Sequence, residues 1–195
     1  MTNILSHITV LELAGGVAGP SAAQTLGDFG ARVIKIEPPS GDPVRHWPGP
    51  RLECGDSAAC LALNRNKESV VLDLTSGSGR SAVRSLAVKA DIIVADDDLG
   101  PTGLDYSSLH PDNPGLVYAL IDPTLPDGTK GRDALHQAAS GYGAINGMPE
   151  GPPAKAGLPM IELSAANSLV QAVLAALFAK AVSYTHLRAH ETINH

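Results

Sequence analysis

The sequence predicts an α/β fold: a Rossmann-like open, mainly parallel sheet with flanking helices. Three observations carry that prediction. Short apolar runs alternate with helix-period segments from Ile8 onward. The first run breaks into a Gly-rich bend that opens a helix. Ile92-Ile93-Val94 is apolar at consecutive positions, as a parallel strand covered on both faces must be.

The first strand is read at Val10, Leu11 and Leu13, and it gives way to Gly15-Gly16-Val17-Ala18-Gly19. Pro20, with its fixed φ, suits a first helical position. Ala22, Leu26 and Phe29 then share one helical face, and Gly30 supplies a C-terminal stop before Arg32-Val33-Ile34-Lys35-Ile36 restarts as a strand ending in Glu37. Backbone N–H groups at such a helix start attract phosphate, so the bend points to a nucleotide-containing ligand. The Pro and Gly residues of Pro38 to Pro43 and of Trp47 to Pro50 predict a long surface loop. A third strand is read at Val70 to Leu74, a helix at Arg80 to Ala90, the fourth strand at Ile92 to Val94 and the fifth at Leu116 to Ile121. A helix follows from near Asp133, for which a helix N-cap is the plain alternative to a chemical role, and an Ala-rich apolar helix runs from Ile161 to Val182. Right-handed crossovers between these strands place any ligand outside their carboxyl ends, where the bend lies.

With 195 residues, 44% of them hydrophobic, the chain supports one substantial core rather than two domains. A net charge of −6, with 14 Lys and Arg scattered along the chain, argues against a nucleic-acid partner. The N-terminus lacks a basic flank, and no uncharged apolar run reads as long enough to span a bilayer, so no membrane partner and a cytoplasmic location are expected. Cys54 and Cys60 are read as incidental reduced thiols. Residues 182–195 lose all periodicity and carry three of the seven His, counting His195; they resemble translated sequencing-adapter read-through and are expected to be a non-native tail. His186 and His190, spaced like a metal-binding pair, fall in that tail, and no metal site is expected.

The bend also invites a dinucleotide reading, with Glu37 on a ribose. A G-x-G-x-x-G fingerprint would need glycine at Val17, and Pro20 follows Gly19 directly, so the fit is poor. The plain structural alternative is a tight strand-to-helix turn.

A wider set of blocks decides more. Val10-Leu11-Glu12-Leu13, Ala18-Gly19-Pro20, the run Leu26 to Pro39, Gly41-Asp42-Pro43, Asn64-Arg65-Asn66-Lys67 and Leu72-Asp73-Leu74 stand in the order and spacing of the family III CoA-transferases. The chain resembles that family, which also contains the α-methylacyl-CoA racemases, from Ile8 to Lys180. The resemblance implies that residues 1–181 are the N-terminal part of a CoA-binding large domain, truncated before the small domain. It also implies coenzyme A or acyl-CoA with a carboxylic acid as substrates, and two interlocked subunits in a full-length homodimer. The implied CoA-binding positions are Ala18, Gly19, Leu72 and Lys67. For Lys67 the alternative is a solvated surface lysine.

Moving CoA between acids needs a carboxylate that attacks a thioester and then holds CoA itself. The family places an aspartate for this in the segment corresponding to Gly157 to Ala166, and the matching residue is Glu162, one methylene longer. Its alternative role is a first-turn acid complementing the helix dipole. Racemisation would need the base that racemases carry as His before Asp; here Gly131-Arg132-Asp133 places a guanidinium there, and His136, one turn on, reads as a helix histidine with a local hydrogen bond. Asp96-Asp97-Asp98 replaces the usual Asn-Phe and basic segment, and Asp122-Pro123-Thr124 the expected Gly-Phe-Gly loop. The leading expectation is therefore a CoA-transferase with Glu162 as nucleophile. The alternatives are a non-catalytic half supporting a fused or dimeric partner, and a racemase-like isomerase.

Overall fold

The computed structural model describes residues 3–96 and 99–191, with side chains described through Val182. Five strands form one all-parallel sheet in the order β3-β2-β1-β4-β5. They are β1 (Thr9–Leu13), β2 (Arg32–Glu37), β3 (Lys67–Val71), β4 (Ile92–Ala95) and β5 (Val117–Leu120). The helices are α1 (Ala18–Asp28), α2 (Ala58–Leu63), α3 (Gly77–Ala87), α4 (Tyr106–Leu109), α5 (Asp133–Ala139) and α6 (Met160–Glu191). The strand order reverses direction across β1 and β4, so a crevice opens at their carboxyl ends, as the sequence implies.

The period-two alternation of the strands divides the core into two layers. Val10, Val33, Ile92 and Val94 face α1 and α6, where Ala22, Ala23, Leu26, Ala166, Leu169 and Val173 complete one cluster. Leu11, Ile34, Ile36, Ile93 and Ala95 face the opposite way, against Val83 and Ala87 of α3 and Leu104 and Leu109 of the following segment. Leu11, Leu26, Ile92 and Ile93 are among the largest side chains fully withdrawn from solvent.

Three boundaries depart from the sequence reading. The third strand runs over Lys67–Val71, three residues earlier than expected, because it is an edge strand with four of its five residues exposed and apolar content does not mark it. Leu72 and Leu74 lie just past it, and Leu72 N still donates to Glu37 O at 2.9 Å. Helix α3 starts at Gly77 rather than Arg80, since Ser76 caps it by accepting from Gly79 N at 3.0 Å. Helix α1 starts at Ala18, which puts Pro20 in the first turn, where its missing N–H is still harmless.

The loop after Glu37 is more ordered than its Pro and Gly content suggests. Pro43–His46 form a 3₁₀ turn capped by Asp42, which accepts from Val44 N at 2.8 Å. Arg45 grips Glu37 through two nitrogens at 2.7 Å and reaches Asp56 at 2.6 Å.

Over Met160–Val182 helix α6 is 23 residues long with mean hydropathy 1.5, long and apolar enough to cross a membrane by length and composition, a test that the core helix of a soluble protein also passes. Glu162 and Lys180 lie inside that stretch near its two ends, so the uncharged run between them is shorter than the helix. Ala166, Leu169, Val170 and Val173 of this helix lie in the core, whereas Phe178 is 72% exposed. Cys54 and Cys60 are both free thiols.

Gly19 explains how α1 sits so close to the end of β1. A Cβ there would fall 2.2 Å from Ala14 Cβ, so only hydrogen fits. Gly19→Ala is expected to destabilise the fold by about 1–3 kcal/mol through overpacking, read as a lower urea midpoint at unchanged slope.

Candidate functional site

The crevice at the carboxyl ends of β1, β4 and β5 is a cavity of about 580 Å³. That volume lies within the range of small-molecule sites, roughly 300–1,000 Å³. One wall is the bend, Gly15 to Ala18; the opposite wall carries Lys130, Arg132 and His136 near α5 and Glu162 at the start of α6. Gly16 has φ +69°, a conformation that glycine adopts without strain, and Gly15 N donates to Asp96 Oδ2 at 2.8 Å, tying the ends of β1 and β4 together. A second recess of about 320 Å³ adjoins the first, sharing Gly15 and Pro43 and lined further by Leu13, Leu72 and Leu74. Ala18 and Leu72 thus face neighbouring hollows on one continuous surface.

Glu162, in the first turn of α6, is brought to this cavity by an exchange of caps between two helices. Asp133 is the first residue of α5, not its N-cap as the sequence suggests. Its carboxylate turns instead to α6, where Oδ1 accepts from Ile161 N at 2.8 Å and Glu162 N at 3.2 Å. Glu162 returns the contact: its Oε1 accepts from Asp133 N at 3.1 Å. Each carboxylate satisfies backbone donors that a helix start leaves open. Among the described residues Glu162 Oε2 has no protein donor, so one oxygen is anchored while the other is available at the cavity.

The other candidates divide between cavity and scaffold. Arg132 Nη1 would lie 3.6 Å from a Cβ on Gly16, so its guanidinium reaches across to the bend. His136 makes the local contact expected of it, Nε2 to Gly131 O at 3.1 Å, while lining the cavity. Asp96 and Asp122 also line it; Asp97 and Asp98 lie outside the described residues, as do the side chains of His186 and His190. Gly19 lines neither hollow and acts through the close packing against Ala14.

Lys67 is neither a solvated lysine nor a cavity residue. Its side chain is 2% exposed, and Nζ meets Glu12 Oε2 at 2.7 Å, Pro20 O at 2.8 Å and Asn64 Oδ1 at 2.9 Å. Glu12 Oε1 in turn meets Lys35 Nζ at 2.6 Å, and Lys35 reaches Asp42 Oδ2 at 2.7 Å and Ala14 O at 2.9 Å. Two ammonium groups and two carboxylates are therefore buried together behind the bend. Burial pushes the Lys67 ammonium below its usual pKa despite Glu12, whereas for Lys35 burial is outweighed by Glu12 and Asp42 and its pKa rises. Sequence reasoning gave Glu12 and Lys35 no role; the available signal was a charged residue between apolar neighbours inside each of two strands.

Glu37, the ribose ligand of the dinucleotide reading, is committed elsewhere. Arg45, Ser69 Oγ at 2.6 Å and Asp42 N at 2.9 Å all hold its carboxylate. The Arg45 hydrogen bonds, against the cost of burial, bring its pKa down to about 2.

A parallel sheet with a cavity at its switch point, a helix start on one side and a carboxylate on the other, defines an α/β domain with a candidate small-molecule site at its strand ends. Residues 5–183 match the model of CoA-transferase family III, and the chain belongs to that family. A succinate–glutarate CoA-transferase of Agrobacterium fabrum is 41% identical over 186 residues, an alignment covering 89% of this chain and 46% of that protein. The human succinyl-CoA:glutarate CoA-transferase is 34% identical, with 92% and 43% covered. A crystal structure of a CaiB/BaiF family protein from Brucella suis superposes with a TM-score of 0.88 at 34% identity, over 94% of this chain and 51% of that one. The chain spans about half the length of the curated relatives it matches.

Two measurements check the scaffold. Lys67→Met leaves a net negative charge in the buried cluster and is expected to cost about 3–5 kcal/mol in urea denaturation, much of it recovered in the Glu12→Gln/Lys67→Met double variant. Glu37, with its pKa lowered from 4.5 to about 2, contributes stability that is fully present above 4.5 and lost as pH falls through 2. Glu37→Gln is therefore expected to flatten the stability profile in that window.

Proposed function

We propose that the full-length protein transfers coenzyme A between an acyl-CoA and a carboxylic acid, with Glu162 as the nucleophile. The observation that carries this reading is the Glu162 carboxylate, anchored through Oε1 and available through Oε2, across one cavity from the bend at Gly15 to Ala18. Oε2 attacks the thioester carbonyl of the donor; a C–O bond forms, the C–S bond breaks, and CoA leaves as thiolate. The thiolate then attacks Cδ of Glu162 in the resulting anhydride, releasing the donor acid and leaving CoA as a glutamyl thioester. The acceptor carboxylate reverses both steps, so no net proton or electron is required. During attack on Cδ the developing negative charge falls on Oε1, which Asp133 N–H already faces.

The phosphorylated end of CoA lies at the start of α1 by Ala18, and its nucleotide extends toward Leu72 in the adjoining recess. Gly19 and Lys67 support this surface from behind, the first by letting α1 approach and the second by pairing with Glu12. Lys130 and Arg132 supply cationic groups to the cavity. Several of the matched transferases act, by name, on the dicarboxylic acids succinate, glutarate, citramalate or mesaconate, and one on cinnamoyl-CoA and phenyllactate; with Arg132 in the cavity to meet a second carboxylate, a dicarboxylate acceptor is the substrate class this reading favours. The same reading takes residues 1–181 as the N-terminal part of the CoA-binding large domain of a cytoplasmic, interlocked homodimer. It takes residues 182–195 as a non-native tail; the family match ends at residue 183.

Incubation of the full-length protein with succinyl-CoA and hydroxylamine is expected to convert Glu162 to its hydroxamate, detected by peptide mass spectrometry. Glu162→Gln should lower turnover by at least about a thousandfold while leaving CoA affinity unchanged. Unmodified Glu162 in a CoA-bound protein would favour the non-catalytic scaffold instead, and deuterium uptake beside the thioester carbonyl without CoA transfer would favour the racemase.

A further inference from the structure

A glutamate at the nucleophile position carries one more rotatable bond than the aspartate of its family, so its reacting oxygen needs more restraint. The structure contains a buried group placed to provide it. Gln137, on α5, is only 1% exposed and lies one turn from Asp133, which is 5% exposed. Its Nε2 donates to Asp133 Oδ2 and to Leu158 O at 3.2 Å, and its Oε1 accepts from Ala156 N at 2.8 Å. An amide buried this deeply is costly unless its donors and acceptor are used, and here both donors and the acceptor are. All three partners belong to the segments that bring Glu162 to the cavity.

On the reading that Glu162 is the nucleophile, we infer that Gln137 is a positioning residue that sets the Glu162 carboxylate through Asp133. It orients the Asp133 carboxylate from one side, so that the other oxygen receives Ile161 N and Glu162 N. It fixes the approach to α6 by holding both Ala156 and Leu158. Asp133 N then holds Glu162 Oε1, which directs Oε2 to the cavity. A hydrocarbon of the same length would fill the space at Gln137 but would hold none of these groups.

The test uses the full-length protein and its Gln137→Met and Gln137→Glu variants, with succinyl-CoA as donor. It compares kcat, the rate of hydroxylamine-trapped modification at Glu162, the Kd for CoA and the thermal midpoint. Gln137→Met is expected to slow kcat and trapping together by about tenfold, with the Kd for CoA unchanged within about twofold. Gln137→Glu, which sets a carboxylate against that of Asp133, should lose more; if it does not fold, Gln137→Met alone decides. Wild-type kcat and trapping in the folded variants, or losses that only follow weakened CoA binding, would overturn the positioning role. Failure of the wild-type protein to modify Glu162 would instead overturn the nucleophile assignment, and the positioning role with it.

Discussion

Four charges buried behind the bend hold the surrounding structure in place. Lys35 bridges Glu12 and Asp42, and Lys67 takes the second oxygen of Glu12, so β1, β2, β3 and the loop after β2 meet at one neutral cluster. Taking four ions out of water is expensive, and the arrangement is tolerable only because each ion is paired, Glu12 with both lysines, and Lys35, Lys67 and Asp42 are further hydrogen-bonded. Lys67 Nζ also caps the carbonyl of Pro20, and Lys35 that of Ala14, so the cluster reaches both sides of the bend. An edge strand with little apolar surface to bury, β3, is thereby fastened to the sheet through its first residue.

The cavity stands on this base but is completed from elsewhere in the chain. Its floor is the bend, fixed by Gly19 against Ala14 and by Gly15 N on Asp96. Its opposite wall comes from α5 and α6, whose first turns cap one another through Asp133 and Glu162. A carboxylate that serves as a cap need not be excluded from chemistry: the cap consumes Oε1 and leaves Oε2. The two roles weighed for Glu162, complement to a helix start and nucleophile, are therefore compatible in one side chain.

What could be read from residue order follows burial. Ile92 to Val94 is apolar on both faces because both faces are covered, and β4 is found where that run predicts it. The third strand was misplaced because its side chains face solvent and carry no apolar signature. Gly19 was read as part of a phosphate-binding turn, and the structure adds that it makes space for a helix against a strand, which local pattern does not reveal. Glu162 was found through the resemblance of its segment, yet its partner was not: Asp133 lies 29 residues away, and nothing in the spacing reveals that two helix starts would meet. Gln137 gave no signal at all, since an isolated glutamine on a short helix is ordinary.

The sequence by itself determined the parallel α/β class, the position of the bend at a strand end, and the membership that its ordered blocks imply, because each depends on local periodicity or on contiguous residues. Tertiary structure decided which charges are buried together, that Glu37 belongs to Arg45 rather than to a ligand, and that Glu162 faces the bend across a shared cavity. Those outcomes depend on contacts between residues far apart in the chain, and such contacts exist only once the sheet has assembled and the helices have packed on it.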